Sequence, residues 1–318
     1  MLEILAITTP IFLLIGAGYL AMGTRLVNRE QMQGVATFVL YFALPALVIR
    51  AVTQNPLDEV LQPHYLLAYG LGSLAVFAFA LLLTLGLQHK PLSEGAIHAL
   101  GMSASNSGFI GFPVAAMVLG ASPAAVFLAL NMLIENLLII PAALILAEVG
   151  RQRGAGIATV ARKTLFRLIR NPILVGLGLG LLLAVTDTTL PRPLAQAVDM
   201  LANASGPAAL FVIGGTLFGL QVRGMMNDVG QIVAGKLILH PLAVLGVFLL
   251  MPEADPALLA GALLFACAPM ISVFPLLGQR YGLAGVSAAT LMVATLGAFV
   301  TLSMGIWLMD IAGLLPRG

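Results

Sequence analysis

The sequence is a succession of apolar runs, each about as long as a bilayer is thick, and the breaks between them hold most of the charge. A helix crossing the hydrocarbon core needs about 20 such residues. Ten candidate runs lie at about 3–22, 33–52, 64–87, 95–120, 123–148, 171–186, 195–222, 228–251, 256–281 and 284–310. Only 9% of the 318 residues are charged, against roughly 25% in a soluble domain, and the mean hydropathy is +1.05. A water-facing surface cannot be built from this chain, so the expected fold is an all-α polytopic membrane protein with ten transmembrane helices. The first run begins MLEILAITTP, with Glu3 and no basic residue, whereas a signal peptide opens on positive charge. It is therefore counted as a span of the mature protein. A lone Cys267 excludes a disulfide framework and a cysteine-rich metal site.

Connectors alternate between the two sides of a membrane, so the basic residues can be sorted. Arg25, Arg29, Lys90, Arg151, Arg153, Arg162, Lys163, Arg167, Arg170, Arg223 and Arg280 fall on one side. The other side holds Arg50, Arg192 and Arg317, together with Glu3, Asp58, Glu59, Asp187, Glu253 and Asp255. Lys and Arg accumulate on the cytoplasmic side. Both termini are therefore expected outside, with the basic segment 149–170 in the cytoplasm against anionic lipid headgroups.

The chain also repeats itself at one fixed offset of 162 positions. Pro10 pairs with Pro172, Gly16 with Gly178, Gly18 with Gly180, Pro45 with Pro207, Pro113 with Pro275, and Gly120 with Gly282. The offset divides the chain into a first five-helix repeat (1–148), the basic loop (149–170) and a second repeat (171–318). An odd number of spans per unit turns the second copy upside down. That 5+5 inverted arrangement lets one shape present both an inward-open and an outward-open state.

Two runs carry the expected site. Span 4 reads GMSASNSGFIGFPVAAMVLG and span 9 reads LLFACAPMISVFPLLGQRYG. Proline removes a backbone donor and clashes with the preceding turn, and irregular backbone in a membrane is tolerated only around protein or a water-lined cavity. Both spans are expected to be broken crossover helices, each proline opening a second half-helix. The positive half-helix N-termini suit an anion such as a carboxylate. Expected substrate contacts are Asn106, Ser105, Ser107, Gly108, Pro113, Ser272, Pro275 and Pro269, with Pro45, Pro207 and Gly111 as hinges.

Ionisable groups inside spans default to functional roles. Glu135 sits mid-span, with Asn131 one turn before it on the same face; Lys236 and His240 share that spacing in span 8. The four could form an ion-coupling or proton-relay cluster; alternatively the charges are a static buried pair, or Lys236 snorkels to the interface. His98 is expected at the interface. No histidine–carboxylate set has metal spacing, no phosphate loop follows a strand, and no paired catalytic set marks an enzyme.

FALPALV in span 2, NSGFIGFP in span 4, KLILHP in span 8 and the matching broken span 9 resemble the auxin efflux carrier family. The resemblance covers essentially the whole chain, and the short central loop is similar to that of the bacterial branch. It implies a fold similar to bile-acid symporters and sodium/proton antiporters, with a scaffold domain and a crossover-bearing transport domain. It also implies transport of small organic anions, malonate or malate among bacterial relatives, with Asn106, Pro113 and Pro275 flanking the substrate and Pro45 marking a bend. One departure stands out: Ala268 occupies the position equivalent to Asn106.

The expected function is therefore a secondary carrier of a small carboxylate in a bacterial inner membrane, coupled to H+ or Na+ and using no other cofactor. A passive anion channel, or a carrier of a monocarboxylate or indole acid, is the alternative. Expected partners are the substrate and membrane lipid, with no nucleic acid; a homodimer stays open.

Overall fold

The computed structural model describes residues 2–54, 62–151, 170–219, 226–251 and 255–315. Among these residues every regular element is helical and none is a strand. We number the helices α1 (Leu2–Gly23), α2 (Arg29–Gln54), α3 (Pro63–Leu87), α4a (Leu92–Ser103), α4b (Phe112–Leu119), α5 (Ala121–Arg151) and α6 (Pro172–Val185). There follow α7 (Arg192–Leu217), α8 (Met226–Leu250), α9a (Pro256–Ala266), α9b (Phe274–Arg280) and α10 (Ala284–Ile311). Seven segments are long and apolar enough to cross a membrane: α2, α3, Leu92–Leu119, α5, α7, α8 and α10. Three shorter apolar helices accompany them, Thr9–Gly23, Pro172–Val185 and Pro256–Ala266. The chain is thus a multi-pass membrane protein. The basic segment expected at 149–170 lies, between Arg151 and Arg170, outside the described residues.

The apolar residues face outward as well as inward. Leu82, Leu87, Leu249 and Leu250 are each more than 70% exposed, which a water-soluble surface does not tolerate as a continuous feature. Lipid covers such a surface without penalty, and association between the helices then rests on close packing of small residues. Gly18 of α1 lies against the backbone of α7, where an added Cβ would come 1.9 Å from the Phe211 carbonyl oxygen; one on Gly214 would come 1.8 Å from the Ile15 oxygen. Across the bundle, Gly176 and Gly180 of α6 lie against Pro45, Ile49 and Val52 of α2. Helices α1, α2, α6 and α7 pack together, and α3, α4, α5 and α8 form a second assembly with α9 and α10. Phe12 of α1 meets Phe299 of α10 edge-to-face, at a centroid distance of 4.5 Å.

Proline shapes four of the long helices by one device. A wider π turn occupies Val39–Ala43, Ser107–Gly111, Glu135–Ile139 and Gly235–Leu239, and each ends two residues before a proline: Pro45, Pro113, Pro141 or Pro241. A proline ring clashes with the carbonyl one turn back and leaves it without a donor. Adding a residue to that turn relieves the clash and bends the helix without ending it. Pro207 follows no such turn, and α7 runs α-helical through it.

Gly214→Val places methyl groups where backbone already lies. It is expected to lower the melting temperature in detergent by many degrees or to abolish a monodisperse peak. Gly178→Ala, at a position with nothing within 4 Å, is expected to leave melting unchanged or slightly raised, because alanine favours a helix interior by roughly 0.5–1 kcal/mol.

Candidate functional site: two helix breaks and the cavity beside them

Two helices are interrupted in the middle of the bundle. Helix α4a ends at Ser103, the chain runs extended through Ala104, and helical structure resumes at Ser107. Helix α9a ends at Ala266, and α9b begins only at Phe274. The breaks touch: the Asn106 backbone N–H donates to the Pro269 carbonyl at 2.7 Å. One peptide group from each break is thereby satisfied inside protein, as an apolar surrounding requires.

The remaining loose ends are met by buried charges of matching sign. At the α4 break, Glu135 Oε1 accepts the Ser105 backbone N–H and the Ser107 hydroxyl, both at 2.9 Å. A carboxylate at the start of a helix meets the positive end of its dipole. At the α9 break, Lys236 Nζ donates to the Ala266 carbonyl at 2.7 Å, the last residue of α9a. An ammonium there meets the negative end. The π turns of α5 and α8 carry these two side chains, so the bends at Pro141 and Pro241 lie beside the groups that cap the breaks.

Polar side chains of α3 join the two caps. The Tyr69 hydroxyl hydrogen-bonds Ser105 Oγ at 2.8 Å, and its ring stands edge-on to His240, 5.5 Å between centroids. His240 Nε2 pairs with Ser73 Oγ at 2.9 Å, and His240 Nδ1 with Lys236 Nζ at 2.7 Å. Tyr65 stacks on Tyr69 and on Phe127.

A cavity of about 240 Å³ opens beside the α4 break toward the end of the bundle where α5 leaves and α6 begins. Ser105, Asn106, Ser107, Gly108, Glu135 and Ser272 line it, with Tyr41, Asn136 and Asn171 toward its mouth. Asn106 Nδ2 and Glu135 Oε2 are buried there without a hydrogen-bond partner. Buried donors and acceptors are nearly always paired, so two orphans on residues that line one cavity make it the candidate ligand site. The volume is below the roughly 300–1,000 Å³ of pockets for drug-sized molecules, which fits a small metabolite. Toward the other end, two cavities of about 460 and 230 Å³ share Arg50, Ala121 and Asn203. Arg50 Nη1 donates to Asn203 Oδ1 at 2.8 Å and lies 3.8 Å from Asp199.

The cavity thus gathers Ser105, Asn106, Ser107, Gly108 and Ser272 of the expected contacts, together with Glu135. Pro113 instead lines the opposite cavity, with Pro207. The second half-helix starts at Ser107, six residues earlier than the proline rule placed it, because the π turn Ser107–Gly111 absorbs the effect of Pro113. Pro269 acts through its carbonyl, and Pro275 lies in the first turn of α9b. Asn131 is buried one turn from Glu135, with its amide beside the Tyr65 hydroxyl. Lys236 does not snorkel: it is 0% exposed and its ammonium is held by Ala266 and His240.

His98 is buried within the protein. It is 0% exposed, its Nε2 3.8 Å from Glu94. Glu94, His98 and Asp228 bring metal-capable atoms within 4.8 Å of one another. The Lys90 ammonium, however, bonds Glu94 and Asp228, which makes the cluster an ion-pair clamp between the α3–α4 connector and α8.

Sequence reasoning missed Tyr69, Ser73, Asn171 and Arg50. Asn171 caps α6 and donates to Asn136 Oδ1 at 3.0 Å. The Asn171-Pro172 pair is a legible helix start, and Arg50 is one of the few basic residues on its side.

Removing one member of a buried charge pair costs about 3–5 kcal/mol. Lys236→Met and Glu135→Leu are each expected to lower the melting temperature sharply. The double variant is expected to lose less than the sum of the two, a coupling that a double-mutant cycle in detergent reads directly.

The chain shares 31% identity over 323 aligned positions with a protein of Rhizobium meliloti (strain 1021) described as "Putative malonate transporter", covering 99% of this chain and 98% of that one. It is also 23% identical over 239 residues to the "Lysosomal cholesterol signaling protein" of Mus musculus, a match spanning 71% of this chain and 27% of that one. The profile of the family described as "Membrane transport protein" matches residues 4–308. The chain belongs to this membrane transport protein family, the auxin efflux carriers.

Proposed function

We propose that this protein is a secondary carrier of a small carboxylate, a malonate- or malate-like dicarboxylate, working by alternating access around its two broken helices. The observation that carries the reading is the cavity at the α4 break, where Asn106 Nδ2 is buried without a partner beside the start of a half-helix. An unpaired donor and a positive helix end both favour a carboxylate oxygen. The name of the Rhizobium meliloti relative supports the same substrate class.

Ten spans in two inverted sets of five are the reading that the seven long and three shorter apolar helices support. The glycine contacts support this pairing. Gly18 lies against Phe211, and Gly180 against Ile49, each residue 162 positions from its counterpart. In this reading α1, α2, α6 and α7 are the scaffold, and α3–α5 with α8–α10 move against it. The basic end, with Arg25, Lys90, Arg151, Arg170 and Arg280, faces the cytoplasm by the positive-inside rule. The cavity beside Asn106 then opens inward, and both termini lie outside a bacterial inner membrane. The coupling ion is a proton: the Lys236 ammonium already occupies the carbonyl end of α9a, where a sodium ion would otherwise be drawn.

Purified protein in liposomes is expected to accumulate labelled malonate in counterflow when unlabelled malonate is trapped inside. A passive channel gives no such trans-acceleration. Asn106→Ala removes one hydrogen bond to a charged group, worth about 1.5–3 kcal/mol. It is expected to cut initial uptake by about tenfold to a hundredfold while the protein stays monodisperse; wild-type uptake in this variant refutes the site.

A further inference from the structure

The cavity proposed to take an anion holds no cation. Among the described residues that line it, Glu135 is the one charged side chain. Its Oε1 is committed to Ser105 and Ser107, whereas Oε2 is buried and unpartnered in a side chain that lines the cavity. As a carboxylate, Oε2 can only accept a hydrogen bond, and an entering carboxylate has nothing to donate. Two like charges in contact repel strongly in a medium that excludes water.

We propose that Glu135 must be protonated for the substrate to bind, and that its Oε2–H then donates to the substrate carboxylate beside Asn106 Nδ2. The proton is in this way both part of the binding site and a co-transported ion. This rests on the carrier reading above and specifies its coupling.

The groups packed around Glu135 fix the sign. Tyr65 and Tyr69 of α3 bring hydroxyl groups, and Asn131 on its own helix an amide. Cys267 lies at the α9 break, near both Tyr69 and Lys236. Lys236 of α8 acts on Glu135 through space, but its ammonium is turned to Ala266 and His240 and does not line the cavity. With Glu135 ionised, carboxylate and ammonium cancel, and the cavity shows the substrate only the carboxylate. With Glu135 protonated, the contact turns from repulsion into a hydrogen bond, and Lys236 leaves the site one positive charge in excess. Substrate and proton therefore stabilise each other's binding, which is symport. The proton comes from the side where substrate enters, rides on Oε2, and leaves to water on the opposite side once the anion has gone. A tenfold fall in proton activity per pH unit then lowers flux by up to about tenfold.

The test uses the full chain in liposomes, with malonate as probe and a trapped pH-sensitive dye. Wild-type protein is expected to acidify the lumen in step with malonate entry, one proton per substrate beyond any carried by malonate itself. Its exchange rate is expected to fall as pH is raised equally on both sides. Glu135→Gln keeps an acceptor for Ser105 and Ser107 and a permanent donor toward the cavity. Its exchange is expected to lose the pH dependence, and its uptake to carry no such extra proton. Malonate exchange by wild type without accompanying protons overturns the inference and leaves the carrier reading standing. A pH response that persists in Glu135→Gln also overturns it, because the proton then travels on the substrate. Absence of malonate counterflow in the wild type refutes the carrier reading and the coupling together. The proton measurement on wild type needs no variant, so the inference stays exposed to failure even if Glu135→Gln does not fold.

Discussion

The structure depends on how a broken helix can exist inside an apolar bundle. Each interruption exposes N–H groups at one end and carbonyls at the other, and lipid supplies no partners for them. Here Glu135 takes the amide end of the α4 break, Lys236 takes the carbonyl end of the α9 break, and Asn106 N–H to Pro269 O ties the two together. The buried charges are therefore structural, and in the proposed mechanism Glu135 is functional as well. A neutral capping side chain would satisfy the same backbone group but could not change charge during transport.

This arrangement explains why both charges sit on π turns. A regular α-helix repeats every 3.6 residues, so a side chain's direction follows from its position in the sequence. Inserting a residue before Pro141 and Pro241 rotates the helix segment on one side of the turn relative to the segment on the other. Each proline also leaves a carbonyl one turn back without its donor. The helix segments carrying the caps are thus locally irregular, whereas α10, which caps nothing, runs 28 residues without interruption.

Much of the fold was legible because membrane helices announce themselves by length and hydropathy. The predicted runs differ from the observed helices by a few residues, and the breaks in spans 4 and 9 fall where proline, glycine and serine cluster. The site was legible in part. Asn106 and Glu135 stand out because polar groups in apolar runs are rare, but their meeting across α4 and α5 is tertiary and leaves no local signal. Proline at N1 is a rule for α-helices and says nothing of a π turn inserted before it, so it misplaces the start of the half-helix. Distance to a span end makes His98 and Lys236 look interfacial. The depth of the bundle at those points, and the partners from α8 and α9 that make burial tolerable, cannot be seen along one helix.

The proposed duplication and the charges pull in different directions, and the difference is informative. Glu135 corresponds at the 162-residue offset to Gly297, Lys236 to Leu74, and Asn106 to Ala268. The shared residues are prolines and glycines, which govern backbone path and close approach; the residues that govern chemistry are unshared. Shape symmetry is what alternating access requires, because two states related by an exchange of the repeats must have similar energy. A second carboxylate at Gly297 alone, with Leu74 left apolar, would add a like charge to the bundle without a second ammonium to balance it. In the proposed mechanism, one polar break that binds, pressed against one less polar break that closes over it, gives a single site reachable in turn from either side.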